Sequence, residues 1–223
     1  TSYNTYAYLG APGDVFLNVN SQANFLPSYE PGSAGWSLLL HELGHAVGLK
    51  HPHDDGGTGR PTFGSIGIEF LDKDFATVMS YNDDYNFNQI SWNPATPMVL
   101  DVLALQYLYG KNFSTNLGDT TYRLSQYDFY YTVWDAGGKD TVDASGTLFG
   151  WEIILPTVEP SSLVDTLVGV AIPTADVDLP SPRNLVWLTG DIENAIGSNY
   201  SDRLYGNAFN NLLNGGAGAD RME

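Results

Sequence analysis

The 223-residue sequence predicts an α+β half followed by an all-β half. Three observations carry this. Helix start and stop signals are confined to residues 33–110. From residue 111 the chain turns into short strands separated by Gly, Asp, Asn and Pro, with no helical period. Residues 197–223 then repeat in units of nine.

In chain order, Tyr3–Leu9 and Asp14–Val19 read as two short strands. The second alternates Val15, Leu17 and Val19 against Phe16 and Asn18, and Gly10-Ala11-Pro12-Gly13 is turn chemistry. Ser33 or Ser37 can cap a helix that runs to about Val47, with Gly48 just past its end. A Gly-, Asp- and Pro-rich loop follows. A second helix is predicted over Pro97–Tyr109, with Thr96 as N-cap, Pro97 in the first turn and Gly110 as the stop. Met98, Val102, Leu105 and Tyr109 share its expected buried stripe. The nine-residue units are GSNYSDRLY, GNAFNNLLN and GGAGADRME. Each opens on Gly, has Asp202, Asn211 or Asp220 in sixth place, and has Leu204, Leu213 or Met222 in eighth.

The net charge of −17 argues against nucleic acid, whose phosphates demand a basic face. An acidic chain reads as a solvated surface, as salt adaptation, or as a store of calcium ligands, since hard cations take oxygen donors. The last reading places Asp with Gly in turns. There is no cysteine, which excludes disulfides, thiolate metal sites and a cysteine nucleophile. No apolar run approaches the ~18 residues of a membrane span.

Three of the four histidines fall in HELGHAVGLKH, residues 41–51. On a helix, residues four apart share a face, so His41 and His45 can converge on one ion. Gly48 allows a sharp turn, and His51 can swing back as a third ligand. Three imidazoles and one open position are the ligand set of a catalytic zinc. Glu42, one residue round, can take a proton from a zinc-activated water and hand it to the leaving amine. Core or solvated histidines are the plainer reading. Five fixed positions of this motif coincide by chance about once in ten thousand chains of this length. His53 has no place in the spacing and is expected at the surface.

HELGHAVGLKH and the VMSY at 78–81 resemble the metzincin zinc peptidases, and the nine-residue units resemble the RTX calcium repeat. Together they resemble the serralysin family of secreted bacterial metalloproteases. DVLALQYLYGKN (101–112) is similar to that family's second active-domain helix. TVWDAGGKDTVDASG (132–146) and GDIENAIG (190–197) are similar to the start of its β-roll.

The resemblance implies an α+β metzincin catalytic domain over 1–112, a twisted sheet beside a zinc-site helix. An all-β parallel β-roll domain over 113–223 follows. It makes His41, His45, His51 and Tyr81 zinc ligands, with Glu42 as base, Tyr81 also as oxyanion partner, and Met79 as the floor of the site. It implies several calcium ions. Asn116, Gly118 and Thr120 would ligate through carbonyls, completed by Asp135, Gly137 and Asp140. Gly138, Asp140, Asp191 and Glu193 would form a neighbouring site, and Asp202 and Asp220 would serve the repeats. Tyr200 and Phe209 stand where the repeat has glycine, and Asn211 replaces an Asp. That makes the calcium site between those turns weak or absent.

The implied activity is a zinc endopeptidase acting on proteins and peptides. It would be a monomer secreted from a Gram-negative bacterium by a type I route, with a proteinaceous inhibitor as a further partner. A calcium-folded binding module with a vestigial metal centre is an alternative, against which the intact Glu42 argues. A small-molecule zinc hydrolase is another. The edge strand Tyr3–Leu9, able to pair with an extended peptide, favours the peptidase. In serralysins more than a hundred residues precede the zinc motif, against forty here, and the chain stops within a repeat. It is therefore expected to be an internal piece of a longer enzyme, with an intact mass far above 24.3 kDa.

Overall fold

The computed structural model describes residues 7–9, 15–17, 29–55, 59–82, 92–126, 129–157 and 166–223. Two compact units, 1–101 and 102–223, divide it.

In the first unit, β1 (Ala7–Leu9) pairs antiparallel with β2 (Val15–Leu17), Tyr8 opposite Phe16. The remainder of both expected strands and the turn between them lie outside the described residues. Helix α1 covers Ala34–Ala46. Ser33, not Ser37, is its N-cap, because the Ser33 hydroxyl accepts the Trp36 N–H at 3.2 Å. The Trp36 indole donates to Ala95 O at 2.8 Å and pins that first turn. Two single 3-10 turns follow, at Gly64–Ile66 and Glu69–Leu71. The chain then dives into the interior at Ala76, Thr77, Val78, Met79 and Ser80, all buried.

Helix α2 covers Val99–Tyr109 and crosses the boundary between the units. It starts two residues later than predicted. The Met98 N–H is taken by the Asp101 carboxylate at 2.8 Å, which caps the helix from inside its first turn. Gly110, at φ 83°, closes the far end by donating to Gln106 O. The expected stripe is only partly right. Met98 is buried and Val102 and Leu105 are half-buried, but Tyr109 is exposed. Burial is concentrated in the first turn, at Val99 and Asp101, and the last turn faces outward.

The second unit is two sheets around one apolar core. Its strands are β3 (Thr121–Arg123), β4 (Tyr130–Asp135), β5 (Thr141–Asp143), β6 (Trp151–Thr157), β7 (Val168–Pro173), β8 (Leu185–Gly190), β9 (Asn194–Ile196), β10 (Arg203–Tyr205), β11 (Leu212–Asn214) and β12 (Arg221–Met222). The six-stranded sheet has the order β12-β10-β6-β7-β8-β4 and the four-stranded sheet β11-β9-β5-β3. Trp151, Ile153, Leu155, Ala171, Val186, Leu188 and Leu204 of the first sheet share a core with Val142 and Ala195 of the second.

The nine-residue period appears as alternation between the sheets. β10 pairs in parallel with β12, and β9 with β11, each pair in a register of 18 residues, two units of nine. Successive units therefore go to opposite sheets. Their eighth-place residues follow the expectation in two of three cases. Leu204 is fully buried and Leu213 packs on the core, but Met222 is 51% exposed, because β12 is the outer strand of its sheet.

The expected all-parallel strand direction is not observed. β7 runs antiparallel to both β6 and β8, so the six-stranded sheet is not parallel throughout. Residues 151–190 lie before the nine-residue period begins, and without its regular turns a strand is free to reverse.

Candidate metal centre

Helix α1 sets His41 and His45 one turn apart on one face. Gly48, at φ 97°, reverses the chain, with Leu49 N–H donating to Gly44 O. His51 then returns to the helix. Its Nε2 lies 3.1 Å from His41 Nε2 and 3.0 Å from His45 Nε2. One ligand atom from each of the three lies within 4.8 Å of the others.

The opposite ring nitrogens decide what this cluster is. His41 Nδ1 is 2.7 Å from Val78 O, His45 Nδ1 is 3.0 Å from Leu49 O, and His51 Nδ1 is 2.7 Å from Asp54 Oδ2. Carbonyls and carboxylates only accept, so each Nδ1 carries the proton. In a neutral ring that leaves Nε2 as a bare lone pair. Burial first, with His45, His51 and His53 adding to it, drives the His41 pKa down to about 4, so that ring is neutral at pH 7. The lone pairs of His41 and His45 each face that of His51 at about 3 Å and repel it, and a cation among the three turns that repulsion into ligation. Three nitrogens ~2.0–2.1 Å from one tetrahedral zinc would lie about 3.3–3.4 Å apart. The donor set therefore fits zinc, with each ligand oriented by an outer partner.

Around the triad, Glu42 is half-buried, and that burial holds its carboxyl above the ordinary range against the pull of His45 and His51. The Tyr81 ring stacks on His41 at 5.2 Å and tilts over His51 at 4.4 Å. Burial, then Glu42 and Asp54, raise the Tyr81 pKa, so the phenol keeps its proton. Met79 is 1% exposed and lies against Gly44 of α1. A Cβ on Gly44 would sit 2.5 Å from the Met79 sulfur, so the glycine is what lets helix and methionine meet. His53 is at the surface as expected, its ring parallel to that of His51 at 5.2 Å.

Three contributors were not legible beforehand. Asp54 orients His51. Gly44 admits Met79. Asp101, 2% exposed, accepts from Thr77 Oγ1 at 2.6 Å and from Val78 N and Met98 N at 2.8 Å each. It thus holds the residue whose carbonyl orients His41. The only sequence signal was an acid in the apolar run MVLDVLAL, beside a predicted buried stripe.

In the second unit the residues expected around calcium are drawn together. Thr120 N–H donates to Asp140 Oδ1 at 2.7 Å and the Thr120 hydroxyl to Gly118 O at 2.8 Å. Gly137 N–H donates to Asp135 Oδ1, Asp140 N–H to Glu193 Oε2, and Asp191 N–H to Asp135 O. Gly138, at φ 146°, has Gly118 O so near that a Cβ would lie 2.7 Å from it. Asn116 takes φ 52° and donates its amide to Trp134 O. Asp135 and Asp140 are both fully buried, and Asp140 Oδ2 has no hydrogen-bond partner among the described residues. Burial first, then Asp135, Glu193 and Asp119, push the Asp140 pKa up to about 6. A buried carboxylate oxygen without a donor, among three other acids and peptide carbonyls, fits a hard divalent cation such as calcium. Asp202 and Asp220 occupy stacked turns 18 residues apart, with Asp202 N–H donating to Asp220 Oδ1 at 3.0 Å.

Comparison with known proteins gives two family matches. The family described as Metallo-peptidase family M12B Reprolysin-like matches residues 3–108. The RTX calcium-binding nonapeptide repeat matches residues 196–223. The metalloprotease AprA of Pseudomonas entomophila (strain L48) is 33% identical over 217 residues, covering 88% of this chain and 41% of the relative. Serralysin G of Dickeya chrysanthemi is 33% identical over 216 residues, 90% of this chain and 42% of the relative. The serralysin of Proteus mirabilis is 33% identical over 235 residues, 94% and 43%. The chain thus spans about two fifths of the length of these relatives. With a metallopeptidase half, calcium-type repeats behind it and these serralysin and metalloprotease relatives, the chain belongs to the serralysin-type metzincins.

Proposed function

We propose that this chain carries the working centre of a zinc-dependent endopeptidase that hydrolyses proteins and peptides. One observation carries the reading: three Nε2 lone pairs meet while every Nδ1 is tied to an acceptor. His41, His45 and His51 would hold one zinc, with Tyr81 as a further ligand at rest. Zinc, when bound, polarises the scissile carbonyl and makes water a nucleophile near neutral pH. Glu42 takes the proton from the attacking water and delivers it to the leaving amine. Its raised pKa brings it nearer to that task. The protonated Tyr81 phenol is an O–H donor for the developing oxyanion. Among the described residues β1 pairs with β2 alone, which suits an edge strand that takes extended substrate.

The second unit would be a β-roll stiffened by calcium at Asn116, Gly118, Thr120, Asp135, Gly137, Gly138, Asp140, Asp191 and Glu193, and in the repeats at Asp202 and Asp220. We take 1–112 as part of the catalytic domain and 113–223 as the first part of the roll. The kinship with serralysins supports a secreted, extracellular enzyme.

The test is Glu42→Ala. This variant should bind zinc as the parent does and lose nearly all casein hydrolysis. Casein turnover near the parental rate would exclude Glu42 as the base.

A further inference from the structure

The three nine-residue units put their sixth-place side chain in one position, against the glycine that opens the unit. A Cβ on Gly197 would lie 2.8 Å from Asp202 Oδ2, one on Gly206 2.4 Å from Asn211 Oδ1, and one on Gly215 2.5 Å from Asp220 Oδ2. The first two units also share the contact to the next amide, with Ser198 N–H on Asp202 Oδ2 at 2.7 Å and Asn207 N–H on Asn211 Oδ1 at 2.8 Å, whereas Gly216 N–H in the third donates to Asn214 Oδ1 at 3.1 Å. The other half of the side chain differs. Asp202 and Asp220 present a second carboxylate oxygen. Asn211 presents an NH2 group.

That group is fully used. Asn211 Nδ2 donates to Glu193 O at 2.8 Å and to Asn207 Oδ1 at 2.7 Å. Asn207 Nδ2 donates to Ile192 O at 2.9 Å and to Pro156 O at 2.8 Å. Asn207 Oδ1 also accepts the Phe209 N–H at 3.1 Å. Ile192 and Glu193 lead into β9, which pairs in parallel with β11 beyond this turn. The amide orientations are forced. Turning Asn211 over would aim its oxygen at two acceptors and its NH2 at the Asn207 N–H.

We propose that turn 206–211 is fastened to the segment at Ile192–Glu193 by this neutral amide network in place of a calcium ion. The proposal rests on the reading that the aspartate-bearing turns take calcium. A calcium ion needs six to eight oxygen ligands. Here the peptide oxygens of Ile192 and Glu193 are occupied by N–H donors, and the side chain that should supply negative charge supplies partial positive charge. The network also explains why Asn207 stands in second place, where the repeat has glycine: its side chain carries two of the four donations. The roll then has one turn that holds its shape without the ion, beside turns whose carboxylates need one.

The experiment counts calcium per chain by native mass spectrometry of the full chain at saturating calcium, for wild type, Asn211→Asp and Asn211→Ala. Asn211→Asp should bind one ion more than wild type. Asn211→Ala should bind the same number as wild type. Loss of its three hydrogen bonds, two donated and one accepted from Asn207 N–H, should lower its Tm by about 6–12 °C, in calcium and in EGTA alike. Equal, non-zero counts for wild type and a folded Asn211→Asp would overturn the proposal. So would loss of one ion in Asn211→Ala, a readout that stands even if Asn211→Asp does not fold. A wild-type chain that binds no calcium at all is a separate outcome: it removes the calcium reading of the neighbouring turns, and this proposal with it.

Discussion

Replacing Asp101 tests whether the metal centre is held from below. The carboxylate is 2% exposed and accepts three hydrogen bonds, two of them from the backbone of Val78 and Met98. Asp101→Ala leaves both N–H groups buried and unpaired, at about 1–3 kcal/mol each. The sum is about 2–6 kcal/mol. For a chain of this size it lowers Tm by about 5–20 °C. Asp101→Asn is different. Its oxygen can sit where Oδ2 sits and keep both backbone donors, while its NH2 meets the Thr77 hydroxyl, which can accept. It should lose at most about 2 kcal/mol. Because Val78 O orients His41, Asp101→Ala should also bind zinc about tenfold more weakly or worse. Thermal melts and a competitive zinc titration read both effects. An alanine variant that melts with the wild type, or an asparagine variant as damaged as the alanine one, would refute the reasoning.

Three further outcomes follow from the same geometry. Burial raises the Asp101 pKa to about 6, against hydrogen bonds from Thr77, Val78 and Met98 that lower it. The folded state therefore holds more protons than the unfolded one between pH ~4 and ~6. Stability from this group falls as pH rises through that window, by about 3 kcal/mol, and is flat above it. Melts of wild type against Asp101→Asn across that range should show the difference. Asp54→Ala removes the acceptor that fixes the His51 tautomer, so zinc affinity should fall about 10–100-fold with the apo Tm little changed; unaltered zinc affinity would mean Asp54 does not orient the ring. Gly44→Ala drives a methyl group to 2.5 Å from the Met79 sulfur, and the overpacking should cost about 1–3 kcal/mol in chemical denaturation.

Much of the site was legible because its signals are local. His41, His45, Gly48 and His51 lie within eleven residues, and helix geometry alone brings two of them together. The Ser33 cap, the Gly110 stop and the nine-residue period are likewise short-range patterns. What could not be seen is what depends on a partner far along the chain. Asp101 reaches residues 23 and 24 positions away, and its burial against Thr77 overrides the usual rule that acids face water. Gly44 owes its role to Met79, thirty-five residues on. The outward face of Tyr109, the exposure of Met222 and the reversed β7 are tertiary outcomes on which periodicity is silent. The replacement of Asp by Asn211 was visible in the sequence. That Asn207 joins it in filling the place of an ion was not, because the carbonyls they reach, in β6 and in the segment before β9, lie 15 to 51 residues away along the chain.

The most direct measurement is the metal content and X-ray absorption spectrum of the full chain as isolated. One zinc per chain with a first shell containing three imidazole nitrogens is the predicted result. A protein that retains no zinc under conditions where it is folded, or a zinc whose spectrum lacks imidazole scattering, would contradict it.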